Sequence, residues 1–118
     1  MAEGFAAYYG SDVLTAESAG LSPAGVVVDQ TIRSMSGKNI DISSHYSKAF
    51  HLEEANHFDL VVNMSGYDVP RGLRVPVIRW DIPDPIGESD QIYANVRDQI
   101  EKQVVELVAD LRLQAAKR

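Results

Sequence analysis

The residues best suited to chemistry in this chain lie in the stretch Asp81-Ile-Pro-Asp84-Pro. A carboxylic acid held on a rigid proline loop can hand a proton to a leaving oxygen. Asp84, in front of Pro85, and Asp81 are the two carboxylates of this stretch. The same stretch also reads as a stiff strand-to-helix connection in which Asp84 merely caps a turn. A nucleophile is harder to find. The 118 residues contain no cysteine, which excludes disulfides, thiolate metal sites and a cysteine nucleophile within them. His45 and Ser47, in SSHYSK, suit either a pocket wall or a loop anchored by hydrogen bonds, and anchoring is the simpler reading. His51 and His57 are six apart without a helix-face partner, so no metal site is expected from them. Tyr8, Tyr9, Tyr46 and Tyr67 read as packing or rim aromatics. Nothing in the chain implies a cofactor.

The bulk composition narrows the class. A length of 118 residues suits one domain spanning 1–118, with 45% apolar and 24% charged residues. A formal charge of −6 without a Lys/Arg cluster argues against nucleic acid as a partner. The Lys117–Arg118 tail reads as a solvated helix end that suits the helix dipole. No run approaches a membrane span, and MAEGFAAYY lacks the pattern of a signal peptide, so a cytoplasmic protein with no membrane partner is expected.

The elements that must position Asp84 follow from periodicity. Ala2–Tyr9 reads as a first helix with Gly10 as its stop. That helix has no capping side chain in front of it, and the Met1 ammonium faces the positive end of its dipole. Gly4 inside it points to close packing against a neighbour. Asp12–Gly20 is a short β-prone run, and Val26–Ser36 is an amphipathic helix with Val27, Val28, Ile32 and Met35 on one face and Gly37 as stop. Leu52–Asn56 suits a short helix. Phe58–Met64 is an apolar run expected of a strand buried on both faces, and Arg74–Trp80 is the next strand, with Pro76 favouring an edge. From about Ser89 to Gln114 one long helix follows, its stripe made of Ile92, Val96, Ile100, Val104, Leu107 and Leu111. This alternation predicts an α/β fold in three layers, a mainly parallel sheet with helices on both faces. Such a domain normally opens on a central strand whose following loop binds ligand, and here the chain opens on a helix.

Taken in order, MAEGFA, ESAG, GKNIDISSHYSK, FDLVVNM, WDIPDPIG and YANVRDQIEKQV resemble the low-molecular-weight protein tyrosine phosphatases, a family that includes arsenate reductases of the same fold. The resemblance covers essentially the whole chain. It implies a four-stranded parallel sheet with the first strand inside it, followed by a loop bearing a cysteine, five residues, an arginine and a Ser or Thr. Backbone amides and that arginine would cradle a phosphate dianion while the cysteine attacks as thiolate. The chain departs from the pattern by starting just after that loop. Asp84 matches the family's general acid, which implies a phosphotyrosine-type substrate by ancestry. The family's thioredoxin-coupled reductases carry further cysteines after the third strand, and Ser65–Arg74 has none, so phosphatase ancestry fits better than that thiol relay.

These features lead to an N-terminally truncated domain, its first strand missing and its 118 residues inactive. Either the start is misplaced at an internal methionine, or the protein is a non-catalytic binding or regulatory relative whose first helix holds an anion weakly. An unrelated α/β interaction domain is the remaining reading. Without an inner strand, segments 13–18 and 59–64 would face each other across a gap of roughly 9–10 Å. Unpaired strand edges of that kind predict a homo-oligomer.

Overall fold

Ser89 begins the dominant element. Its hydroxyl accepts the Ile92 amide at 3.3 Å, which caps a helix running from Asp90 to Ala116. The computed structural model describes residues 1–20, 29–46 and 48–117. In chain order its elements are α1 (Ala2–Gly10), α2 (Asp29–Ser36), α3 (Leu52–Ala55), β1 (Val61–Asn63), β2 (Val77–Arg79) and α4 (Asp90–Ala116). The fold is α/β, with helices around a small parallel sheet in which Val61 faces Val77, Val62 faces Ile78 and Asn63 faces Arg79.

The core lies where α1, α2 and the 40–42 loop meet α4. Phe5, Met35, Ile40, Ile42, Trp80, Val96, Ile100, Val104 and Val108 form one buried cluster. On α4 the buried stripe runs through Tyr93, Val96, Ile100, Val104 and Val108. Tyr93 thus takes the place expected for Ile92, which is 40% exposed, while Leu107 packs against the cluster only partly buried. Rotating the stripe by one residue brings the Tyr93 hydroxyl within 3.2 Å of Thr31 on α2, a partner the ring can reach while its body is buried. Polar clamps tie α1 to α4 as well. The Tyr9 hydroxyl donates to Glu101 at 2.8 Å, and Arg112 grips Asp12 and the Tyr9 carbonyl.

Two glycines let these helices approach. A Cβ on Gly4 would lie 2.8 Å from Ile42 Cγ2, as the expected close packing requires. A Cβ on Gly10 would lie 2.7 Å from Val108 Cγ2. Gly10 is therefore a packing residue and not the left-handed stop expected of it, since α1 ends through Ser11 in right-handed geometry. After α2 the left-handed residue is Asn39, with φ of 60°, and not Gly37. Of the second helix as expected, residues 26–28 lie outside the described residues, which removes Val27 and Val28 from view. Ser47 and Arg118 lie outside them too.

The strands differ most from expectation. The expected strand over 12–20 does not form. Val13 and Leu14 instead turn back on the Gly10 carbonyl, and the one ladder contact among the described residues of this segment is a parallel bridge between Gly20 and Ala49. A β-prone run becomes a strand only when another backbone pairs with it, and none lies alongside 13–18 among the described residues. The strands expected over 58–64 and 74–80 shorten to three residues each. Nor is β1 buried on both faces: it is half-buried throughout, and β2 is exposed along its length.

Candidate functional site

In an open parallel sheet, ligands gather beyond the carboxyl ends of the strands. Three segments converge on that end here. The turn after β1 is one. Asn63 Oδ1 accepts the Ser65 amide at 3.0 Å, its Nδ2 donates to the Tyr67 carbonyl at 2.6 Å, and Gly66 supplies the positive φ of 79° the turn needs. The second is the end of β2, where Arg79 reaches the Gly66 carbonyl at 3.3 Å and Asp81 at 3.1 Å. The third is the start of α1. Ser11–Thr15, following α1, share one cavity wall with His57–Asp59 ahead of β1, so α1 runs back along the sheet and begins at the strands' carboxyl end.

That helix start carries free donors. The first α1 hydrogen bond runs from the Phe5 amide to the Met1 carbonyl at 3.1 Å, leaving the amides of Ala2, Glu3 and Gly4 ahead of it, with no side-chain cap on Met1. The Met1 ammonium shares the place. Burial holds its pKa below the usual value of 8.0, and the neighbouring Glu3 charge opposes that shift.

Glu3 organises the surroundings. One carboxylate oxygen lies 3.1 Å from His45 Nδ1, and the other accepts the Ser18 hydroxyl at 2.9 Å. His45 thus anchors its loop to α1, the simpler of its two readings. Glu3 itself was not visible as a site residue in the sequence; its position in the first helical turn was the one signal available.

Asp84 lies in the loop between β2 and α4, exposed to solvent. Its Oδ1 accepts the Ile86 amide at 3.0 Å, the turn-capping contact that its sequence context also suggested. Pro85 beneath it is buried, and Gly87 completes the turn with φ of 85°. Asp81 is ion-paired with Arg79 and 83% exposed, which leaves Asp84 the freer acid. Met1 and Ile82 both pack on the core cluster that includes Trp80. Among the described residues no group of three metal-ligating side chains comes together. Nor is any helix there long and apolar enough to cross a membrane.

Residues 1–117 match the family model described as low molecular weight phosphotyrosine protein phosphatase. A glutaredoxin arsenate reductase of Synechocystis is 30% identical over 115 residues, covering 94% of this chain and 87% of the relative. An arsenate reductase solved in its phosphate-binding state superposes with a TM-score of 0.82 at 29% identity, covering 93% of this chain and 86% of that one. The arginine phosphatase YwlE shares the fold, with a TM-score of 0.79 at 23% identity, over 94% of this chain and 86% of that one. By sequence and by fold, this chain belongs to the low molecular weight phosphotyrosine protein phosphatase family.

Proposed function

We propose that residues 1–118 carry the acid and oxyanion-facing part of a phosphomonoester site without its nucleophile, so that alone they do not turn over substrate. The observation that carries this reading is the absence of any cysteine from the 118 residues of a chain in a cysteine-nucleophile family. Asp84 serves as the general acid: its carboxyl is exposed in the loop that follows the carboxyl end of β2. The free amides of Ala2, Glu3 and Gly4 face the oxyanion, a phosphate of phosphotyrosine type by ancestry. Without an attacking group, Asp84 has no leaving oxygen to protonate, and what remains is weak anion binding at a regulatory or binding module.

The names of the relatives favour a second reading, an arsenate reductase-like protein. It uses the same oxyanion-facing amides for arsenate, and its reduction steps equally require thiols. Both readings predict silence from residues 1–118. The test is hydrolysis of para-nitrophenyl phosphate beside arsenate reduction, first by this chain and then by a form extended ahead of Met1 with the family's Cys-loop. Hydrolysis by the extended form supports the phosphatase; reduction without hydrolysis supports the reductase. Turnover of either substrate by residues 1–118 refutes the proposal.

The exposed strand edges further support self-association as a property of this chain. Sedimentation showing a dimer or larger at micromolar protein is the expected result, and a monomer at every concentration is the contrary one.

A further inference from the structure

The outer edge of the sheet carries an unused ladder. β2 pairs with β1 on one side only, and its residues are exposed throughout. In a strand each residue directs its N–H and C=O to the same side, and neighbouring residues face opposite sides. The Pro76 carbonyl accepts the Val61 amide at 3.0 Å, and the Trp80 amide donates to the Asn63 carbonyl at 3.0 Å, so residues 76, 78 and 80 face β1. Val75, Val77 and Arg79 therefore turn their backbone groups away from the sheet. Among the described residues none of those three amides donates to another backbone group.

The usual guards of a sheet edge do not protect this one. A proline blunts an edge when its missing N–H lies on the open side, and Pro76 turns that position toward β1. A charged side chain blunts an edge when it stands free beside it. Arg79 is instead held by the Gly66 carbonyl at 3.3 Å and by Asp81 at 3.1 Å. Both faces of the strand add apolar surface, with Val77 39% exposed on one and Ile78 37% exposed on the other.

The charges at the two ends of the strand select the occupant. Arg74 precedes β2, is exposed, and enters no ion pair among the described residues. Asp81 follows β2 and is 83% exposed. A second copy laid antiparallel brings the basic start of each β2 to the acidic end of the other, whereas a parallel copy sets like charge beside like. A two-fold axis at Val77 also matches every outward backbone group. Val77 exchanges both of its hydrogen bonds with Val77 of the partner, and Val75 does so with Arg79 of the partner. Pro76 falls opposite Ile78 of the partner, at a non-hydrogen-bonded position where its missing donor costs nothing. The two Val77 side chains then form a β-branched cross-strand pair.

We infer that the outer edge of β2 is a homodimer interface, at which two copies of this chain join antiparallel through Val75–Arg79 into one continuous sheet. The inference rests on the self-association proposed above and names the edge that carries it; it is independent of any catalytic reading. Main-chain pairing supplies the affinity and the end charges supply the direction. The paired length, roughly 16 Å of strand, is short, so the dimer is a reversible one.

The probe is the chain itself, followed by sedimentation equilibrium and amide hydrogen exchange from micromolar to millimolar protein. Expected are a monomer–dimer equilibrium and a concentration-dependent slowing of exchange at Val77 and Arg79. Ile78 and Trp80, which face β1, should exchange slowly at every concentration. Val77→Pro removes the central outward amide and should leave a monomer. Should it also disrupt folding, two charge reversals decide the matter. Arg74→Glu and Asp81→Arg should each weaken the dimer roughly threefold to tenfold. An equimolar mixture of those two variants should form the heterodimer in preference to either homodimer, because both ends then pair opposite charges. A dimer with slowing at Val62 and Met64 and none at Val77 keeps self-association and overturns this edge. A monomer at every concentration overturns both readings. A mixture without heterodimer preference, or assemblies that grow beyond the dimer, overturns the antiparallel arrangement and with it the inference.

Discussion

Replacing Gly4 by alanine should destabilise the protein even though alanine is the better helix former. In the middle of an exposed helix the exchange would gain up to about 1 kcal/mol. Here the new methyl carbon would sit 2.8 Å from Ile42 Cγ2 and 3.1 Å from Met35 Cε. Met35 can swing its flexible end away, but Ile42 is 2% exposed and packed on every side. Overpacking of this kind costs about 1–3 kcal/mol. The net expectation is a loss of up to about 2 kcal/mol, smaller than the clash because the propensity gain offsets part of it. Trp80, the single tryptophan and buried in the same cluster, reports unfolding in urea without a label. Ile42→Ala in the Gly4→Ala background completes the test. The two changes should cost less together than the sum of each alone, by about 1–2 kcal/mol, because the added methyl fills part of the space vacated. A Gly4→Ala protein that gains the full propensity term, or strict additivity in the double mutant, would show that α1 does not press on the 40–42 loop.

Residues 1–118 should show no hydrolysis of para-nitrophenyl phosphate above background, and Asp84→Ala should leave that background unchanged. In the form extended with the Cys-loop the same substitution should lower kcat by about 10²–10⁴-fold, and equal rates would remove Asp84 from the acid role. Asp84→Ala should also cost about 0.5–1.5 kcal/mol of stability in either form through loss of the Ile86 amide contact, read by urea midpoint. The Met1 amine makes stability depend on pH: its folded pKa lies below the unfolded 8.0, so between the two values the unfolded chain holds more protons. Stability should therefore rise with pH through that window and level off above about 8. Acetylating the amine should remove that part of the slope, and an unchanged profile would mean the ammonium is well solvated.

How much of this was legible depended on how local the cause was. The α4 helix was readable nearly to its ends because a repeat of three and four residues and the Ser89 cap both lie in the sequence itself. So did the Asp-Pro loop, whose turn chemistry is set within three residues. The one-residue error in the α4 stripe, Ile92 for Tyr93, has a tertiary cause: Thr31 on another helix rewards the tyrosine. The strand expected over 12–20 has the same kind of explanation in reverse. Its composition is adequate, but pairing must come from a distant backbone, and only Gly20 finds one in Ala49 among the described residues. Glu3 was missed because its two partners, Ser18 and His45, are brought to it by the fold alone.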